Sequence, residues 1–166
     1  MNIGLIFYSR TGNTKKASEK LIEKLQSHAE HVESIEILHE KKLGFFGAAR
    51  LAMKEEHPPI MNAEMDLNKF DRLIIATPVW ASRPAPYVYT FLDQNSLTRE
   101  IKTGVFLTSG GSNEKQQKPQ EIFRENLKNY KLNLISTSLI FQMNKGIIKD
   151  GTQHIDAFIN ELLSES

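Results

Sequence analysis

Gly4-Leu5-Ile6-Phe7-Tyr8-Ser9-Arg10-Thr11-Gly12-Asn13-Thr14 is the stretch from which the rest of the chain can be read. The apolar run from Gly4 to Tyr8 has the composition of a buried strand, it stops in hydroxyl residues and a glycine, and helical spacing begins near Lys15. A strand that turns straight into a helix aims unpaired backbone N–H groups and the positive end of the helix dipole at one point. Ser9, Thr11 and Thr14 add hydroxyl donors, and Gly12 lets the backbone come close to an anion. The Gly-Lys-Ser/Thr ending of a nucleoside triphosphate loop is absent, so the run reads as a cradle for a terminal monophosphate.

Outward from this loop, short β-branched or aromatic runs alternate with longer stretches at helical spacing, the pattern of βα units around a parallel sheet. Five strands are expected, at residues 2–8, 32–38, 72–76, 103–108 and 134–141. The first, third and fourth are nearly continuous apolar runs, as strands covered on both faces require; the second and fifth alternate and read as edges. Helical stripes fall between and after them: Ala17, Leu21, Ile22 and Leu25; Val88, Phe91 and Leu92; Ile122, Phe123 and Leu127; Ile155, Phe158, Ile159 and Leu162. Each stripe is read as core. Residues 39–69 are the least clear, because Gly44 to Met53 is apolar on more than one face and is followed by the breaker Pro58-Pro59. One helix is expected there, either a crossover packed on the sheet or a lid and partner surface beside the ligand.

The composition narrows the function. With 166 residues, 40% of them apolar, the chain has material for one core and is expected to form a single domain over residues 1–166. A net charge of +1 argues against nucleic acid as the main partner. The absence of Cys excludes disulfides, thiolate nucleophiles and iron–sulfur ligation. No leader-like segment precedes the first strand and no apolar run approaches membrane-spanning length, so a soluble, cytoplasmic protein without a membrane span is expected. His28, His31, His39, His57 and His154 are scattered without metal-binding spacing and are read as surface residues. Ser109-Gly110-Gly111 is not a hydrolase elbow, and Tyr8 and Ser9 stand where a receiver domain needs acidic residues.

In an open parallel sheet a ligand sits beyond the carboxyl ends of the strands, where the strand order reverses. Three segments that follow strands carry unusual residues: Ser9 to Thr14, Thr77-Pro78-Val79-Trp80-Ala81-Ser82-Arg83-Pro84-Ala85-Pro86, and Thr108-Ser109-Gly110-Gly111-Ser112-Asn113. Their convergence at one edge is the main functional signal.

On these residues the sequence resembles the flavodoxin-like family, from Met1 to about Leu163. The resemblance implies an α/β three-layer sandwich, a five-stranded parallel sheet of order 2-1-3-4-5 with helices on both faces, and FMN bound at the switch point. It carries Ser9, Arg10, Thr11, Gly12, Asn13 and Thr14 onto the FMN phosphate loop. It places Thr77, Pro78, Val79, Trp80 and Ala81 against the isoalloxazine ring, and Ser109, Gly110 and Gly111 at its pyrimidine edge. The Pro-Val-Trp-x-x-Arg-Pro-x-Pro run is similar to a branch of NAD(P)H-dependent FMN proteins. Such a flavin wants an aromatic face for stacking and N–H donors where charge builds on reduction, and Trp80 is the one indole in the chain. No side chain is expected to act as a catalytic acid or base, and no metal is implied.

Two departures matter. Many flavodoxins hold the ring between two aromatics, but Ser112 to Gln116 supplies none, which leaves one flavin face open to a nicotinamide or quinone, or to cover by a neighbouring chain in a homodimer or by residues 44–53. Pro78 to Arg83 also lacks Gly, so a peptide at positive φ is expected to cost about 1–2 kcal/mol at Ala81 or Ser82. Arg10, Arg83, Lys115 and Lys118 are expected in or beside the three segments, where cations stabilise a reduced flavin. The expected function is an FMN-binding redox protein, either an electron carrier for a protein partner or an enzyme using NAD(P)H to reduce a small acceptor such as a quinone. The alternative is an interaction module of the same fold whose FMN is structural or lost.

Overall fold

The computed structural model describes residues 1–40, 43–54, 56–62, 64–110, 117–144, 146–150 and 154–164. Strand β1 (Asn2–Tyr8) runs through Gly12 into helix α1 (Asn13–Leu25), and β2 (His31–Ile37) follows. Helix α2 (Phe45–Lys54) crosses to β3 (Arg72–Trp80), which turns back through a two-residue β4 (Arg83–Pro84) before α3 (Tyr87–Gln94). Next come β5 (Ile101–Ser109), α4 (Gln117–Leu127), β6 (Leu132–Asn144), β7 (Ile147–Asp150) and α5 (Ile155–Leu163).

The parallel strands lie in the order β2-β1-β3-β5-β6, which is the expected 2-1-3-4-5 when the five parallel strands are counted in sequence. Two short antiparallel additions lie outside that expectation: β4 pairs with β3, and β7 extends the sheet beyond β6. Alternation sorts β1 cleanly. Ile3, Leu5 and Phe7 pack with α1 and α5 on one face, while Ile6 and Tyr8 pack with α2, α3 and α4 on the other. Each fully buried Leu, Ile or Phe contributes roughly 1.5–3 kcal/mol, so the two cores hold the sheet between its helix layers. The layers are close: a Cβ on Gly104 in β5 would collide with the Phe158 ring of α5.

A break in register shapes β6. Between Thr103 and Val105 of β5 the partner strand advances from Leu134 to Ser138, so β6 bulges outward there. The backbone N–H groups freed by the bulge, at Ser136 and Thr137, donate to the Glu161 carboxylate of α5 at 2.8 and 3.0 Å. Among the described residues no helix is long and apolar enough to cross a membrane.

Candidate functional site

β1 and β3 lie side by side, yet the chain leaves them for opposite sides of the sheet, and their carboxyl ends frame a cavity of about 290 Å³. At one end of this cavity is the β1–α1 turn. Gly12 takes a left-handed conformation, φ 85°, as the residue capping α1, and having no side chain it makes no capping bond of its own. The Ser9 hydroxyl accepts from Lys15 N–H at 3.2 Å, which closes the turn around the helix start. Ser9, Arg10, Thr11, Asn13 and Thr14 all line the cavity. Thr14 is buried, and its hydroxyl lies 2.7 Å from that of Thr108.

Arg10 stands apart electrostatically. One of its terminal nitrogens donates to the Leu43 carbonyl at 3.3 Å, its guanidinium lies 6.0 Å from the Trp80 ring centre, and its Nε is buried with no hydrogen-bond partner among the described residues. A buried guanidinium N–H without an acceptor is costly, so this donor fits a site that takes an anion.

The second wall is not the loop expected between Thr77 and Pro86. Thr77 to Trp80 continue β3, and Val79 and Trp80 pair with Pro84 and Arg83 of β4 across a tight hairpin. The turn residues Ala81 and Ser82 have φ 47° and 62°. Both central residues of a type I′ hairpin turn require positive φ. The left-handed backbone expected to be disfavoured here is therefore already present, held by the hairpin without a glycine. Pro78, Val79, Trp80 and Ala81 line the cavity, whereas Thr77 is buried beneath it and donates to the Ala85 carbonyl at 3.1 Å.

Trp80 is held from behind. It meets Tyr8 and Tyr87 edge-on at ring-centre distances of 5.5 and 6.2 Å, and those two tyrosines stack at 4.2 Å. Burial pushes the Tyr8 phenol well above its ordinary range, with Tyr87 adding to the effect and Arg10 opposing it; burial raises Tyr87 as well. Both therefore stay protonated hydrogen-bonding groups at neutral pH. Their hydroxyls lie 3.0 and 3.4 Å from Nε2 and Nδ1 of His39. His39 is thus no plain surface residue, because the chain leaving β2 packs it against the aromatic cluster.

The third wall is the end of β5, where Thr108, Ser109 and Gly110 line the cavity. Gly111 lies outside the described residues, as do Ser112 to Gln116 with Lys115. Gly12 shapes the turn without lining the cavity. Arg83 lines a separate cavity with His57, on the α3–α4 side of the hairpin. Helix α2 adds Phe45, Ala48 and Ala49 to the lining, within the segment 44–53 that was expected either to cross the sheet or to lie beside the ligand. The small-residue spacing of Ala48 and Ala52 buries one face of α2 and brings Phe45 to the rim.

A helix start, a guanidinium and a braced indole on one cavity suit a flat conjugated ring carrying an anionic tail. Residues 1–144 match the family model described as NADPH-dependent FMN reductase. The chain belongs to that family. FMN is accordingly its cofactor, and NADPH is the reductant that the family description names.

Solved structures share the fold at low identity. An FMN-complexed flavoprotein from Lactobacillus acidophilus is 24% identical, covers 95% of this chain and 98% of its own, and has a TM-score of 0.68. Oxidised flavodoxin 2 from Bacillus cereus is 18% identical over 96% of both chains, with a TM-score of 0.63. A WrbA-like flavodoxin from Agrobacterium tumefaciens is 16% identical, covers 96% of this chain and 98% of its own, and has a TM-score of 0.56. No curated protein matches the sequence.

Proposed function

We propose that the protein is an enzyme that holds FMN in the cavity between α1, the β3–β4 hairpin and the end of β5, and uses NADPH to reduce a small acceptor of the quinone class. One observation carries this reading: the helix-start turn with Arg10, Trp80 and the β5 end, far apart in sequence, line one cavity. When bound, FMN supplies the redox chemistry, accepting hydride from NADPH and passing electrons to the acceptor.

The chain's own residues bind and orient. The first N–H groups of α1, with Thr11 and Asn13, would hold the phosphate, and Arg10 adds a cation to the same wall. Trp80, kept in place by Tyr8 and Tyr87, presents a flat wall for the ring. Ala81 and the end of β5, at Ser109 and Gly110, bring backbone groups to the ring's polar edge. None of these residues needs to move a proton. The near-neutral charge of the chain, +1, favours a small acceptor over a charged protein partner, which a steering field would attract.

Anaerobic mixing of the FMN-loaded protein with NADPH tests the reading. The visible flavin band should bleach, and adding a quinone should restore it. A band unchanged by NADPH contradicts a reductase and leaves an electron carrier of the same fold.

A further inference from the structure

Helix α2 is lightly seated for an element beside a ligand cavity. Its buried residues are Ala48 and Ala52, and cavities of about 600 and 170 Å³ lie against Leu51 and Ala52. Phe45, in its first turn, is 72% exposed and yet lines the cavity that Trp80 lines. The next residue, Phe46, is 86% exposed and is not among the lining residues, so exposure alone does not distinguish the two rings; position does. Arg10 ties the entrance of α2 to the same cavity through its bond to the Leu43 carbonyl.

A conjugated tricycle has two flat apolar faces, and each gains by leaving water against another ring. Among the described lining residues the aromatic side chains are Trp80 and Phe45. The segment after β5 contains no aromatic residue between Ser112 and Gln116, so it offers no second ring from that side. We propose that Phe45 is the second ring wall of the site, a clamp that α2 carries over the flavin and that slows its release. Helix α2 is seated by Ala48 and Ala52, with Leu43 and Leu51 partly buried against the core, so the clamp can yield the flavin face to a nicotinamide without disturbing the sheet. The proposal rests on FMN occupying this cavity.

Equilibrium and stopped-flow titration of the FMN-free chain test it, using the wild type, Phe45→Ala, Phe45→Leu and Phe46→Ala. Phe45→Ala should weaken FMN roughly three- to tenfold, the range of a single aromatic pairing, mainly through faster release. It should also make bound FMN more accessible to iodide quenching. Phe45→Leu, which keeps apolar bulk without a flat face, should recover only part of the loss, and Phe46→Ala, which removes a ring edge-on to Phe45 but no lining residue, should lose less than Phe45→Ala. Melting of the FMN-free variants checks that the fold is kept, as the exposure of both rings predicts. If Phe45→Ala matches the wild type in affinity, release and quenching, the clamp is overturned and the proposed function stands. If the wild type itself fails to bind FMN, both are overturned.

Discussion

Ala81 and Ser82 occupy a backbone region that costs a residue with a Cβ about 1–2 kcal/mol, and the fold meets that cost twice in adjacent positions. Their turn joins the two strands of the hairpin that carries Trp80, so its geometry is transmitted to the wall of the site. Glycine at either position removes the left-handed penalty but adds about 0.5–1 kcal/mol of unfolded-state entropy. Ala81→Gly and Ser82→Gly should therefore each stabilise the FMN-free protein by roughly 0.5–1 kcal/mol in urea denaturation, with an unchanged denaturant slope. A loss of stability in both would show that the turn is not strained. This conformation was not legible in the sequence, because Ala-Ser carries none of the Asn-Gly or Asp-Gly signal that usually marks a type I′ turn. The phosphate-loop glycine was legible for the opposite reason: Gly12 is the residue its left-handed cap, φ 85°, calls for.

Elements buried on both faces were easy to read and those paired late were not. The first strand was expected at residues 2–8 and spans Asn2–Tyr8, since a continuous apolar run between breakers has one physical solution. The β3 strand runs on past residue 76 to Trp80 because its hairpin partner β4 supports the extra residues. Two-residue β4 and short β7 depend on pairing with a neighbour and leave little periodicity of their own. The bulge in β6 is a similar case, supported from outside by Glu161. The Ser136 and Thr137 groups hold the Glu161 carboxyl below its ordinary pKa of 4.5, the Ser136 side-chain hydrogen bond being the largest cause and burial opposing it. A folded-state pKa below the unfolded one means stabilisation that is full above the unfolded value and lost as pH falls through the folded one. Glu161→Gln should cost about 1 kcal/mol at neutral pH, a figure reduced by the solvent around this carboxylate, because the amide keeps one acceptor oxygen and its NH2 cannot accept from the second backbone N–H. The gap between wild type and variant should narrow as pH drops below about 4.5. Melting curves across that range check both signs.

At the scale of the whole molecule, the site exists only because the sheet topology gathers three distant segments at the reversal between β1 and β3. Each was visible in the sequence as an oddity after a strand. For the fourth contributor, α2, the sequence left two alternatives open, a crossover or a lid beside the ligand, because its position depends on how a small-residue face settles on the sheet. The sequence did not show that Arg83 faces a different cavity from Trp80, its register partner across the hairpin. The central claim is that the α1 start and Trp80 together hold FMN, and FMN titration of the wild type beside a Thr11→Ala, Asn13→Ala double variant tests it most directly. Thr14 is left intact because its hydroxyl also meets Thr108 in the interior. The wild type should keep a perturbed, fluorescence-quenched flavin band through a desalting column. The double variant should bind FMN more weakly by about 2–4 kcal/mol, the loss of up to two charge-assisted hydrogen bonds. A colourless wild type, or a double variant with undiminished affinity, would contradict the claim.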